Sequence, residues 1–280
     1  MFGELYKLPP SWGEAIQLWV EWLVAGGAST ETIRLRRGIV RSVARQLGTL
    51  RPDDVTTEQL IALCARQKWS NDHRRGLRAA LIAFYDWSLS NGAATTNPAR
   101  GLPSVPESKP KPRPAPDRIW RELLDAADPR ELLMARLAGE AGLRRGEVAK
   151  THCEDLIEDL MGWSLIVKGK GDKQRTVPIT DALAEAIREY LIEYLIDGYL
   201  FPGQIDGHIS PGHVGVLISR LMPDGWSMHK LRHRYASRGY AGTKDIRAVQ
   251  EALGHASVAT TQRYTAVSSR EIRAVSESAA

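Results

Sequence analysis

Residues 253–265 read LGHASVATTQRYT and place His255 nine residues before Tyr264. Apart from Val258, the residues between them are small or polar. Taken alone, Tyr264 is more simply a half-buried tyrosine on a helix. A phenol has an unperturbed pKa near ~10 and is a poor nucleophile at neutral pH. A chemical role for this tyrosine therefore depends on what the rest of the chain supplies.

Three motifs upstream of this segment carry cationic side chains. GLRRGE contains Arg144, KGKGDKQR contains Lys170, and HKLRH contains His229 and Arg232. Residues three apart on a helix lie on one face, so His229 and Arg232 are predicted to project together. Each motif alone is weak evidence of a catalytic site, but their order and spacing before Tyr264 together are strong evidence of one.

This order and spacing closely resemble the tyrosine recombinases, the phage-integrase and Xer-like family of site-specific DNA strand exchangers. The resemblance covers residues from about 11 to 270 and implies a catalytic set of Arg144, Lys170, His229, Arg232, His255 and Tyr264. Two positions depart from the family pattern, since Ala141 replaces a common threonine and Gly146 a common serine. Neither position carries the chemistry.

The two arginines of this set suit an anionic substrate. A phosphodiester gains negative charge in its transition state, and a guanidinium can fork onto two non-bridging oxygens. Arg144 and Arg232 fit this task. By resemblance, His229 binds the phosphate or handles the tyrosine proton, and Lys170 is the general acid for the leaving 5′ oxygen. His255, just past a helix end, can donate to a phosphate oxygen.

The resemblance also gives Tyr264 a role. Tyr264 would attack the scissile phosphate and form a 3′-phosphotyrosine link, which the 5′ hydroxyl of another strand can reseal without ATP. Such covalent storage divides one difficult step into two easier ones. We expect no metal, nucleotide or other cofactor.

Several neighbouring residues are alternatives to these assignments. Lys168 and Lys173 are rivals of Lys170, and Arg145 is a rival of Arg144. The GLR-x-x-E frame favours Arg144 and gives Glu147 a local structural role. His229 and His233, four residues apart, could bind zinc, but a cation such as Arg232 between them disfavours a metal.

The domain boundary is predicted from a proline-rich stretch. Residues 97–116 hold seven prolines, which cannot continue a helix and favour an extended, stiff connector. We divide the chain into a helical core-type DNA-binding domain (1–96), a basic linker (97–117) and a catalytic domain (118–280). The fold class is mainly α (α+β), with a small antiparallel sheet in the mostly helical catalytic domain. The family's extra arm-site domain is not expected, because the chain begins almost directly with the core-binding domain.

Basic residues on the first domain and the linker are predicted to contact DNA. One stripe lies on a helix that Ser29 or Thr30 can cap, and a second cluster opens a helix that Ser70 can cap, where positive charge opposes the helix dipole. An anionic partner would compensate for that charge. The predicted contacts are Arg34, Arg37, Arg41, Arg45, Arg74, Arg75, Arg78, Lys109, Lys111 and Arg113.

Apolar periodicity predicts the core of the first domain. Ile33, Val40, Ala44 and Leu47 form one helical stripe, and Leu77, Leu81, Phe84 and Trp87 form another. Trp12, Trp19 and Trp22 are also predicted to be core residues.

Composition bounds the function classes. The chain has 280 residues, a net charge of +5 and a pI near 9.2, which is compatible with a nucleic-acid partner. Its two distant cysteines match no metal spacing and fit a reducing compartment. Neither a signal pattern nor a membrane-length apolar run is present, so a bacterial cytoplasmic location on DNA is expected.

The expected activity is integration or excision of a phage or other mobile element, ahead of Xer-type dimer resolution. The resemblance implies a homotetramer on paired double-stranded core sites, which exchanges strands through a Holliday junction, with possible directionality or DNA-bending factors and no membrane partner. A type IB topoisomerase-like enzyme and a non-catalytic DNA-binding protein remain alternatives.

Overall fold

The computed structural model describes residues 8–48, 50–107, 113–169 and 174–254. By its internal contacts the chain divides into two units, Met1–Pro110 and Lys111–Ala280. None of the helices in these ranges combines the length and the apolar composition that a membrane span needs.

The described part of the first unit contains four α-helices. They are α1 (Pro10–Ala25), α2 (Thr30–Leu47), α3 (Thr57–Ala65) and α4 (Asn71–Ser90). Side-chain caps start three of them, and the sequence alternatives at α2 resolve to Ser29, whose hydroxyl accepts from the Thr32 amide. Ser70 caps α4 as predicted. Capping hydroxyls satisfy amides that have no partner within the helix, so these starts can be read from sequence.

The core of the first unit follows the predicted stripes with one exception. Trp12 and Trp19 are fully buried and pack against Phe84, with ring centroids 5.7 and 5.3 Å from its ring. Trp22 is 55% exposed, so its prediction as a core residue was wrong. Successive helix residues are rotated by about 100°, and at this turn of α1 the neighbouring Leu23 faces the core instead.

The proline-rich segment also differs from its prediction at its start. Residues Pro98–Gly101 form a short 3₁₀ helix rather than an extended connector, and Pro98, Ala99 and Leu102 are buried in the first unit. The Asn97 side chain accepts from the Ala99 amide and donates to Asp86, which fixes the turn. Apolar side chains between the prolines let the segment pack.

Within its described residues, the second unit combines seven helices with a small sheet. Its helices are α5 (Asp117–Ala126), α6 (Pro129–Glu140), α7 (Arg145–Ala149), α8 (Asp181–Glu193), α9 (Pro211–Arg220), α10 (Met228–Thr243) and α11 (Ile246–Leu253). Strands β1 (Leu156–Asp159), β2 (Gly162–Lys168) and β3 (Gln174–Pro178) form an antiparallel sheet in that order, and a short strand β4 (Pro202–Ile205) bridges to His208. The predicted mainly helical fold with a small antiparallel sheet is confirmed.

Helix α6 lies at the centre of the second unit. It packs against α5, α7, α8, α9 and α10, and its residues Met134, Leu137 and Ala138 are fully buried. The capping box between Asp128 and Glu131 starts this helix. Because α7 and α10 both pack against α6, one helix positions the GLRRGE and HKLRH motifs relative to each other.

Candidate active site

The GLRRGE motif forms the turn between α6 and α7. Gly142 has φ +67°, and a Cβ at this position would lie 2.5 Å from Cδ1 of Tyr235 on α10. Glycine is therefore required both by the backbone conformation and by the close approach of the ring. Leu143 is buried in the core, and Arg144 occupies the position before the first turn of α7.

Glu147 lies beneath Arg144 and is almost fully buried, with 5% of its side chain exposed. Its Oε2 accepts from the Arg144 backbone amide at 2.8 Å, and its Oε1 accepts from Arg144 Nη1 at 2.6 Å. Nη1 of Arg232 lies 3.7 Å from Oε2. The predicted local role of Glu147 is thus to hold two of the predicted catalytic arginines.

A third arginine, Arg175, also binds Glu147. Its Nη1 and Nη2 donate to the two carboxylate oxygens, each at 2.8 Å. Burial alone would raise the pKa of Glu147. The hydrogen bonds from Arg175 and from the Arg144 amide, with the charges of both arginines, outweigh burial and lower that pKa to about 2. Glu147 is therefore an anion at any physiological pH.

Arg175 was missed as a functional residue, although it ends the KGKGDKQR motif. The available signal was its position in β3, where Arg175 and the buried Val177 occupy one face of the strand and Gln174, Thr176 and Pro178 are exposed. Alternate residues of a strand point to the same side. An arginine on the inward side of a short strand predicts a buried carboxylate partner.

The same three arginines bind the end of α11. Nε of Arg175 donates to the Ala252 carbonyl at 3.2 Å, Nη2 of Arg232 to the Leu253 carbonyl at 2.6 Å, and Nη2 of Arg144 approaches the Gly254 carbonyl at 3.5 Å. The last carbonyls of a helix have no partner within it and carry partial negative charge. Arg232, with 2% of its side chain exposed, also donates to the Gly142 carbonyl.

Helix α10 carries both histidines of the HKLRH motif. The Nε2 atoms of His229 and His233 lie 2.9 Å apart, so one ring donates to the other. Burial, and then the positive charges of Arg232, Lys230, Arg144 and Arg145, lower the pKa of His229 below its usual 6.5. His229 is thus neutral at pH 7 and can accept a proton.

The lysine alternatives are partly resolved. Lys168, at the end of β2, lies 3.0 Å from Oδ1 of the buried Asp155, and this hydrogen bond raises the pKa of Lys168. Its ammonium group is therefore held by a structural partner. Lys170, Lys173, His255 and Tyr264 lie outside the described residues.

Arg144 and Arg145 separate clearly in the structure. Arg144 turns toward Glu147 and the end of α11, whereas the Arg145 side chain passes within 4 Å of the position of a Cβ built on Gly215 of α9. The structure thus brings together Arg144, Arg232, Glu147 and Arg175. His229 lies close enough to this group that the positive charges of Arg232 and Arg144 help to lower its pKa.

The predicted DNA-contacting arginines fall into two groups. Arg34 pairs with Glu31 at 2.7 Å and stays exposed, as do Arg37 and Arg45, while Arg41 is half-buried. Arg74 instead donates to the carbonyls of Cys64, Gln67 and Trp69 and thereby closes the end of α3. These three carbonyls satisfy the Arg74 guanidinium within the first unit.

The remaining basic positions have mixed surroundings. Arg75 and Arg78 line a cavity of about 470 Å³ with Ser104 and Val105, and Nε of Arg78 donates to the Leu102 carbonyl. Arg113 stacks over the Trp226 ring at 4.5 Å. Lys109 and Lys111 lie outside the described residues.

Comparison with known proteins identifies the family of this chain. The model of the phage integrase family matches residues 117–271, which is more than half of the chain. The chain belongs to this family. It is therefore a tyrosine recombinase, a site-specific recombination enzyme, as the motif order indicated.

Two curated relatives match most of the length of the recombinase. It is 32% identical to a tyrosine recombinase XerC of Rhodospirillum centenum, over 98% of this chain and 89% of the relative. It is also 32% identical to a tyrosine recombinase XerC of Xanthomonas axonopodis pv. citri, over 75% of this chain and 74% of that protein.

Solved structures share the fold of the recombinase. A XerH site-specific recombinase bound to a palindromic difH substrate aligns with a TM-score of 0.69 and 19% identity, covering 89% of this chain and 80% of that one. A lambda integrase dimer bound to a COC′ core site aligns with a TM-score of 0.71 and 18% identity, covering 90% and 76%.

Proposed function

We propose that this recombinase cuts and rejoins double-stranded DNA at specific core sites through a 3′-phosphotyrosine bond at Tyr264. One observation carries the proposal: Arg144 and Arg232 converge on Glu147 and on the end of α11, directly before His255. Two guanidiniums near one point can bind both non-bridging oxygens of a phosphate. The DNA complexes of the lambda integrase and XerH structures support a duplex as the substrate.

In the proposed cleavage step, the phenol oxygen of Tyr264 forms a bond to the scissile phosphorus, and the bond from phosphorus to the 5′ oxygen breaks. His229, neutral at pH 7, accepts the phenol proton or orients it. Lys170 gives a proton to the departing 5′ oxygen, which leaves as a hydroxyl. Arg144, Arg232 and His255 stabilise the negative charge on the non-bridging oxygens. Rejoining reverses these bond changes with the 5′ hydroxyl of another strand.

The proposed DNA surface of the first unit uses Arg37, Arg41 and Arg45 on α2, and Arg75 at the start of α4. Arg34 and Arg78 can contribute beside their internal partners, and Arg75 can contribute beside Glu107, whose Oε1 lies 3.7 Å from Arg75 Nη1. In the predicted linker, Lys109, Lys111 and Arg113 would follow the phosphate backbone of the DNA. We leave out Arg74, because three carbonyls already bind its guanidinium.

We further propose that four protomers act on two sites through a Holliday junction, in the bacterial cytoplasm and with accessory factors that set direction. The biological role is integration or excision of a phage or other mobile element. Resolution of chromosome dimers is the second candidate, and the XerC relatives at 32% identity favour it. The sequence of the recovered DNA site separates the two roles: a site shared by a chromosome and a mobile element supports the first.

The test is covalent trapping on a library of random duplexes, each nicked near the middle so that the short cleaved strand diffuses away. Protein that stays attached to DNA in hot detergent is recovered, and its DNA is sequenced. We expect an adduct with the wild type and none with Tyr264→Phe. Equal adducts with both proteins would assign another nucleophile.

Two outcomes address the alternatives, one from the trapping experiment and one from a supercoiled plasmid that carries the recovered site. DNA binding without any adduct, even with paired sites present, would support a non-catalytic DNA-binding protein. An adduct accompanied by relaxation of supercoils, without exchange between two site-bearing duplexes, would support a topoisomerase-like enzyme.

A further inference from the structure

We propose that Arg175 is a positioning residue that keeps Arg144 available to the scissile phosphate. It would do so by taking up the charge and both oxygens of Glu147. This inference rests on the proposed function, because it concerns the same phosphate site.

The first step is the geometry of the Arg175 guanidinium. All three of its nitrogens have partners: Nη1 and Nη2 bind the two oxygens of Glu147, and Nε binds the Ala252 carbonyl. The side chain is 14% exposed, against 44% for Arg144. Arg175 is thus directed into the protein, whereas Arg144 lies beside the same carboxylate and remains open to a ligand.

The second step concerns charge. Three guanidiniums and one carboxylate leave an excess of two positive charges at this point. Without Arg175, Glu147 would direct its full charge to Arg144 and the buried Arg232, and would draw the exposed Arg144 away from a phosphate. A buried carboxylate attracts a guanidinium more strongly than an exposed one does, because solvent screens it less. Arg175 therefore preserves the positive potential that the phosphate meets.

The third step connects Arg175 to the segment that precedes the nucleophile. A Cβ on Gly254 would lie 2.7 Å from Cδ of Arg175, so the stem of the arginine touches the residue at which α11 ends. His255 follows directly. Arg175 thus fixes the point from which this segment departs, at the same time as it holds Glu147.

A purely structural role and a positioning role differ in one measurable respect. Loss of packing slows the reaction whatever the charge of the substrate. Loss of positive potential slows it only when the phosphate is charged. A methylphosphonate replaces one charged non-bridging oxygen with a methyl group and so separates these two cases.

The experiment uses the duplex recovered by covalent trapping, with the scissile group either as a phosphodiester or as a methylphosphonate. Single-turnover adduct formation is measured for the wild type, Arg175→Ala and Arg175→Lys. The matched control is Arg136→Ala. Arg136 also forks onto a carboxylate, with 3.0 Å bonds to both oxygens of Glu140, donates to a carbonyl, and is 19% exposed, but it lies between α6 and α8.

On the phosphodiester we expect Arg175→Ala to react roughly 10- to 100-fold more slowly, somewhat less than the loss of a direct electrostatic donor. On the methylphosphonate the difference from wild type should shrink to within about 3-fold. Arg175→Lys should lie between, because a lysine restores the charge without the fork. Arg136→Ala should match the wild type on both substrates.

Equal slowing of Arg175→Ala on both substrates would overturn the positioning role, since it indicates a general structural defect. A wild-type rate on the phosphodiester would overturn it too. A double variant guards against misfolding: in Glu147→Gln, removal of Arg175 should cost at least 5-fold less, because the charge it balances is gone. If wild type itself forms no adduct on any duplex, the proposed function fails as a whole, which is a different result from failure of Arg175 alone.

Discussion

At the scale of single residues, the site is built around Glu147, because three arginines lie against its carboxylate. Glu147 has a recognisable place in the GLRRGE motif, and the sequence correctly suggested a local structural role. The sequence did not reveal Arg175, because a partner 28 residues away in another element can be found only through the fold. Arg144 and Arg232 were predicted as a pair from motif order alone.

Replacement of Glu147 should be costly. In Glu147→Gln three guanidiniums lose their shared anion, and breaking such a buried pair costs about 3–5 kcal/mol. We expect that loss in the free energy of unfolding at pH 7, measured by urea denaturation. Glu140→Gln, which breaks the more exposed pair with Arg136, should cost about 1 kcal/mol or less. Similar losses in both variants would contradict a special role for the buried cluster.

Glu147 should also make the stability of the folded protein depend on pH in the acid range. The pKa of Glu147 is depressed from 4.5 to about 2, so its contribution is complete above pH 4.5 and is lost as pH falls toward 2. The corresponding free energy is about 3 kcal/mol. The stability difference between wild type and Glu147→Gln should therefore narrow between pH 4.5 and 2. A difference that stays constant over this range would show that the charge of Glu147 is not responsible.

His229 should set the acid limb of cleavage. Because its pKa lies below 6.5, the ring is neutral above that pH, and the rate of adduct formation should fall only at lower pH. His229→Gln should be slower and should lose this dependence. His213→Gln, which changes an exposed histidine on α9, should keep the wild-type pH profile. A limb that persists in His229→Gln would assign the titration to another group.

At the scale of elements, local chemistry was more predictable than orientation. The caps at Ser29 and Ser70, the hairpin pairing of β2 with β3, and the left-handed Gly254 after α11 all follow from sequence. Trp22 did not, since an amphipathic helix end offers two apolar neighbours and only packing decides which one is buried. The turn at Pro98–Gly101 was missed for a similar reason, because proline content says nothing of the apolar partners nearby.

Gly254 gives a prediction at this scale. Gly254→Ala should cost about 1–2 kcal/mol for its left-handed backbone, and its Cβ must also displace Arg175. We expect cleavage to slow along with the loss of stability. Gly27→Ala is the control, because Gly27 has φ +71° with no atom near the added Cβ. Gly27→Ala should lower stability, measured by thermal unfolding, with the cleavage rate of folded protein unchanged.

At the scale of the whole molecule, the proposal gives DNA binding to the first unit and the catalytic residues to the second. The resemblance carried by the order and spacing of the motifs was sufficient to predict the family and, together with apolar periodicity, the mainly helical fold. They did not distinguish arginines that face a partner from arginines that complete the protein itself. Arg74 belongs to the second kind, because carbonyls of three residues before α4 bind it.

Salt dependence distinguishes these two kinds of arginine. The triple variant Arg37→Ala, Arg41→Ala and Arg45→Ala should weaken DNA binding and reduce the slope of log K against log salt by up to about 3. Arg74→Ala should leave that slope unchanged and lower the melting temperature instead. Fluorescence anisotropy over a salt series, with Tyr264→Phe to prevent cleavage, measures the slope. An unchanged slope in the triple variant would remove the α2 stripe from the DNA surface.

The three arginines that bind successive carbonyls of α11 have a consequence for protein engineering. Glu147, Arg175 and Gly254 come from segments far apart in the chain, yet Arg175 binds Glu147 and lies 2.7 Å from the position of a Cβ on Gly254. A chimera that takes its hairpin from one relative and its last helix from another would combine mismatched members of this group. Recombinases with new site preferences should therefore be assembled by exchanging the first unit, with residues 142–254 kept from a single parent.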